Sequence, residues 1–217
     1  MKGSIHEVVA ILKREIARWK VPAVSVVAER SRDPFQILVS TILSLRTKDE
    51  TTEAASRRLF SLARTPRAML RLDRRALRDA IYPVCFYRNK TLRLKEIARV
   101  LIADYGGRVP DDIDELLKLK GVGRKTANLV VTLGFGKPGI CVDTHVHRIA
   151  NRLGYVRTRT PEETETALRQ VLPKPYWTVI NDLLVTYGQN LCRPVSPWCS
   201  RCRLSRLCDR AGVTTSR

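Results

Sequence analysis

The 217-residue sequence is 44% hydrophobic, enough to bury a core in one domain or two small ones without covalent staples. Its 40 Lys and Arg outweigh 21 Asp and Glu for a formal charge of +19, a field that draws a polyanion and makes nucleic acid the first partner to consider, unless the charge serves only solubility. No apolar run is long enough to cross a bilayer and Met1 to Glu7 show no secretory leader, so a helical membrane protein is excluded and an intracellular, cytoplasmic protein is expected.

Nearly every segment repeats its apolar residues with helical period, which predicts an all-α chain. Asp33-Pro34 is an N-cap followed by proline at the first helical position, and Phe35, Leu38, Ile42 and Leu45 share one face, so a helix is expected from Pro34 to Ser44. Further helices are expected over Thr47–Leu62, Thr65–Leu72, Asn89–Tyr105 and Asp111–Leu117, punctuated by Gly106-Gly107 and Pro110. Eight arginines lie between Arg57 and Arg78, a pattern usual for a solvated helix face. Ala211 to Arg217 has no periodicity and is expected to be disordered.

Leu119-Lys120-Gly121-Val122-Gly123-Arg124-Lys125-Thr126-Ala127 sits between two helical patterns and reads as a helix–hairpin–helix. Its glycines permit a tight turn and let backbone N–H groups of Gly121, Val122 and Gly123 approach a phosphate, although an ordinary glycine turn between helices would look similar. Lys125 falls in the first turn of the second helix, where the positive end of the helix dipole disfavours an ammonium and favours a nucleophilic amine. A surface lysine reaching for phosphate is the competing reading. Eighteen residues on, Asp143 in Cys141-Val142-Asp143-Thr144-His145 opens a helix ending at Gly154, and can both cap that helix and act as an oriented carboxylate. His145 and His147 occupy alternate helical positions that face apart, which suits hydrogen bonding better than a shared metal.

Cys192, Cys199, Cys202 and Cys208 follow the spacing C-x6-C-x2-C-x5-C, a ligand cluster rather than a disulfide framework, while Cys85 and Cys141 stand alone as small buried residues. Spacing alone suits zinc or a [4Fe–4S] cluster equally. Arg193, Arg201, Arg203, Arg206 and Arg210 lie among these cysteines, a second basic stretch expected to contact DNA.

Together these motifs resemble the endonuclease III family of helix–hairpin–helix DNA glycosylases, across essentially the whole chain: Leu119 to Asn128, Val142 to Arg148 and the four cysteines stand in the family's order. The resemblance favours [4Fe–4S] over zinc. It implies two helical lobes flanking a DNA-binding cleft: a six-helix lobe at 27–137, and a cluster lobe joining 1–26 to 138–217. It implies a nucleoid-associated monomer acting on double-stranded DNA with damaged bases or abasic sites, removing oxidised pyrimidines and nicking the strand. By the same resemblance Lys125 matches the nucleophilic lysine and Asp143 the essential aspartate. Phe86 falls at an apolar wedge that enters the opened duplex, and Arg46 at the residue that fills the vacated space. There the family often has glutamine, so the charged, planar guanidinium of Arg46 is a departure.

Overall fold

The computed structural model describes residues 1–19 and 22–217, and all its regular elements are helical, with no strand among the described residues. The chain divides into two compact units, Ala23–Gly139 and a second made of Met1–Pro22 with Ile140–Arg217. None of the described helices is long and apolar enough to span a membrane.

The continuous unit contains α2 (Ala23–Ser31), α3 (Pro34–Ser44), α4 (Asp49–Leu62), α5 (Pro66–Arg71), α6 (Arg74–Ile81), α7 (Tyr87–Asp104), α8 (Ile113–Lys118) and α9 (Arg124–Leu129), the last running into a π-helical turn at Val130–Gly134. Helix α3 begins where its cap dictates, since Asp33 Oδ1 accepts the N–H groups of Phe35 at 2.8 Å and Gln36 at 3.1 Å. Phe35 and Ile37 through Leu43 are all buried, making α3 a central helix that packs on α2, α4, α7, α9 and the π turn.

Among the described residues this unit carries two helices beyond the six expected. Helix α2 buries Val24, Val27 and Ala28, whose spacing spans too few turns to stand out in the sequence. Helix α6 splits off from the arginine run because the Asp73 carboxylate accepts the N–H groups of Arg75 and Ala76, restarting the helix after an extended Leu72.

The second unit packs α12 (Ile180–Asn190) against α1 (Ile5–Ile16) and α10 (Thr144–Arg152), with α11 (Pro161–Val171) on α10. Val8, Leu12, Val146, Ile149, Ile180, Leu183, Leu184 and Tyr187 form its core. Contrary to the sequence expectation, the C-terminal residues are ordered back onto this unit. Arg217 donates its N–H to Pro197 O at 2.9 Å, accepts from Ser200 N at 2.8 Å and lays its guanidinium over Trp198.

Candidate active site and cysteine cradle

Helices α8 and α9 meet through a hairpin closed by Leu119 N–H on Leu116 O at 3.1 Å and Val122 N–H on Leu119 O at 2.9 Å. Gly121 takes φ +84°, a left-handed conformation that favours glycine, and a Cβ there would lie 2.7 Å from Arg93 Nε and displace that side chain. Val122 is buried and pins the hairpin to the core, while Gly121 and Gly123 are exposed. Gly123 supplies no capping side chain to α9 and a Cβ there would meet nothing, so the approach to the helix start is open. Lys125 follows as the second residue of α9, half-buried, with Thr126, Ala127 and Asn128 buried behind it.

In the other unit, Ile140, Cys141 and Val142 are buried and lead into Asp143, the N-cap of α10 and itself 8% exposed. Its Oδ1 accepts from His145 N at 2.8 Å and Val146 N at 3.0 Å, which fixes the rotamer of the carboxylate. The two histidines turn to different partners. His145 Nδ1 lies 3.0 Å from Arg148 Nη2, and His147 Nδ1 lies 2.6 Å from Thr164 Oγ1. Arg148 also donates from Nε at 3.2 Å and Nη2 at 2.9 Å to Cys192 O, tying α10 to the cysteine segment.

Arg46 and Phe86, forty residues apart in sequence, are neighbours. The Arg46 guanidinium sits 5.9 Å from the centre of the Phe86 ring, and both residues hold left-handed backbone at φ +56°. Phe86 is 55% exposed although large and apolar. Beneath them runs a brace that the sequence reading missed. Lys90, buried on α7, donates to Leu43 O at 2.8 Å and Leu45 O at 2.7 Å, carbonyls at the C-terminal end of α3, and lies 3.3 Å from Thr47 Oγ1. Burial lowers its pKa from 10.5 to about 8. Lys95, further along α7, repeats the device on Leu70 O and Leu72 O at the end of α5. Nothing in the sequence marks these two among the basic residues, because the carbonyls they serve come from other helices.

Cys192, Cys199, Cys202 and Cys208 line one cavity with Arg152, Leu191, Trp198 and Val213. All four are free and partly buried. Tyr187 Oη lies 3.1 Å from Cys202 Sγ, and Arg152 Nη1 lies 3.5 Å from Cys192 Sγ. Arg152 also donates to Arg193 O and Pro194 O, both at 2.7 Å, so a buried guanidinium on α10 shapes the loop between the first two cysteines. Burial pushes the Cys202 and Cys208 thiols up. Among the described residues no group of three or more His, Cys, Asp or Glu side chains lies close enough together to hold a metal ion. Arg193, Arg201, Arg203, Arg206 and Arg210 are all exposed around it, with Arg201 stacked over Trp198.

With a glycine hairpin, a half-buried lysine opening the next helix and a capped aspartate after it in place, the chain can be set beside known proteins. The HhH-GPD superfamily base excision DNA repair protein model matches residues 39–174. Endonuclease III of Thermotoga maritima is 52% identical over 83% of this chain and 84% of its own. A trapped endonuclease III–DNA covalent intermediate superposes with TM-score 0.77 at 38% identity, covering 82% of this chain and 84% of that one. A thermostable thymine-DNA glycosylase gives TM-score 0.75 at 29% identity over 84% and 86%. The chain belongs to the HhH-GPD base excision DNA repair superfamily, and within it to the endonuclease III family.

Proposed function

We propose that Lys125 is the attacking amine, and Asp143 its carboxylate partner, of a DNA glycosylase and abasic-site lyase that acts on oxidised pyrimidines. Glycosylase and lyase chemistry is the activity of the endonuclease III family. The observation that carries the residue assignment is the place of Lys125 in the first turn of α9, directly after an uncapped glycine turn open to a DNA backbone. Backbone N–H groups of Gly121 and Gly123 hold a phosphate there, whereas the Val122 N–H, expected from the sequence to join them, is spent inside the turn on Leu119 O.

The lesion is flipped out of the stack at a cost of a few kcal/mol, less where oxidation has weakened stacking. The neutral Lys125 amine gives its lone pair to C1′ of the sugar, and the C1′–N bond breaks with its electrons leaving on the base, which takes up a proton. The sugar ring opens as O4′ leaves C1′ and becomes a hydroxyl, leaving a C1′=N Schiff base on Lys125. Asp143, oriented by two N–H groups, stabilises the positive charge that develops at C1′ and on nitrogen. Loss of a C2′ proton then breaks the C3′–O bond, nicking the strand, and water releases Lys125. Phe86 enters the opened duplex beside Arg46, which takes the vacated space, while Arg193 and Arg201 hold flanking phosphates.

Cys192, Cys199, Cys202 and Cys208 line one cavity, and these four thiols, a donor set that fits an iron–sulfur cluster, would hold the [4Fe–4S] cluster expected of the endonuclease III family. Bound there, it would supply rigidity to the arginine-bearing loops.

Borohydride reduction tests the assignment by converting the Schiff base into a stable amine link. Wild type is expected to be trapped on lesion-bearing duplex. Lys125→Ala is expected to give neither trapping nor base release while still binding DNA, and Asp143→Asn, which keeps a capping oxygen, to fold and to lose about a hundredfold in turnover. Equal trapping of Lys125→Ala would remove Lys125 from the role. Base release by wild type without any trapping would favour a water-using glycosylase, the reading suggested by the likeness to a thymine-DNA glycosylase structure.

A further inference from the structure

The arginine run is not an even solvated face. Asp73, Arg74, Arg75 and Arg78 of the α6 region and Arg88 and Thr91 of α7 line a cavity of about 420 Å³, open to solvent and sharing no residue with the glycine hairpin or the cysteine loops. Four guanidiniums outnumber two carboxylates, so the site keeps a net positive charge. Asp73 is spent on capping α6, and Asp79 is shared between Arg78 at 3.1 Å and Arg75 at 3.9 Å. Arg74 and Arg88 have no carboxylate partner among the described residues. Arginines elsewhere in the same unit do pair, as Arg57 does with Glu53 and Arg93 with Glu96.

The groove also starts at a telling place. Arg88 is two residues beyond Phe86, and its guanidinium lies 5.8 Å from the Tyr87 ring, which in turn packs edge-on at 5.3 Å against Tyr82. Tyr82 is 58% exposed. An exposed aromatic edge followed by unpaired guanidiniums is the arrangement that follows a nucleic-acid strand, rings lying along sugars or bases and forks gripping phosphate oxygens.

We propose that this groove is an additional phosphodiester site. It takes the DNA backbone on one flank of the lesion, in addition to the phosphates held by the glycine hairpin and the cysteine loops. The proposal rests on the reading of the chain as a DNA lyase, and its test is separable from the test of that reading. Binding of a long duplex carrying a central, uncleavable abasic analogue is measured by fluorescence anisotropy across a range of salt, for wild type and Arg74→Gln/Arg88→Gln. The double variant is expected to reduce the salt slope by nearly two, at about 0.9 per phosphate contact. The difference is expected to vanish on a duplex truncated on the flank that reaches the groove, and to persist on one truncated on the other flank.

An unchanged slope on the long duplex overturns the site. So does a change that survives truncation of either flank, which would mean a general loss of positive field. Arg74→Lys/Arg88→Lys keeps the charge and is expected to keep most of the slope; if it falls to the glutamine level, a folding defect explains the loss and the proposal fails. With pyrophosphate as competitor, a groove that binds the free anion and leaves the DNA slope untouched is likewise not a DNA site. Borohydride trapping of wild type reports on the lyase reading alone.

Discussion

Arg46 and Phe86 each hold a left-handed backbone that costs a side-chain-bearing residue on the order of 1 kcal/mol or more, and both do so at one exposed corner. The resemblance singles out the two positions separately; that they stack on each other is visible only in three dimensions. If the guanidinium fills the space vacated by the flipped nucleotide, its fork meets the base left opposite, and the O6 and N7 edge of guanine suits it best where that edge is accessible. Lesions opposite guanine are then expected to be processed faster than the same lesions opposite adenine, by about 1–3 kcal/mol for a bidentate pair. Arg46→Gln is expected to flatten this preference while retaining activity. Single-turnover rates opposite all four bases, at two salt concentrations, decide between this role and a phosphate contact: an opposite-base ranking that does not move in the variant excludes gap filling.

At the scale of elements, α7 has exposed Phe86 as its N-cap and carries Arg88 of the arginine-lined groove and the two lysines that tie down the ends of α3 and α5. Lys90→Met leaves two buried carbonyls without a donor and is expected to destabilise the continuous unit by roughly 2–4 kcal/mol, measured by denaturant unfolding. A pH signature accompanies it. Because the folded-state pKa, about 8, lies below the unfolded value of 10.5, the folded state binds fewer protons between them, and this contribution makes stability rise with pH across that window. Wild type is therefore expected to gain stability relative to Lys90→Met from pH 8 upward, and parallel pH curves would show that Lys90 is not the group responsible. Local chemistry made α3 legible, since Asp33-Pro34 sets its start by contacts within three residues. The hairpin, the Asp143 cap and the four cysteines were legible for the same reason: spacing along the chain carries their chemistry. Helix α2 was not, and α6 was lost inside the arginine run, where only its Asp73 cap sets it apart, while the C-terminal residues were read as disordered because their anchors, Pro197 and Trp198, lie back in the chain.

For the molecule as a whole, binding of the proposed cluster would be coupled to the stability of the second unit, because Cys192 leaves α12, Cys202 touches Tyr187 in its core and Cys208 Sγ lies 3.1 Å from Arg152 O on α10. Protein purified without oxygen is expected to be brown with about four irons per chain. Cys202→Ser is expected to lose iron and lower the melting temperature of that unit, read by iron analysis alongside calorimetry. One zinc per chain and no iron would defeat the cluster assignment.

The division of the chain also orders events during synthesis. Ala23–Gly139 is one uninterrupted stretch and can collapse as soon as it clears the ribosome, with its partners already made. Helix α1 emerges before any of it, yet its packing partner α12 begins only at Ile180, so its apolar stripe of Val8, Val9 and Leu12 waits through the translation of more than half the protein. Closing so long a loop is slow, and the waiting helix is the segment most open to chaperone capture or misassociation in the nascent chain.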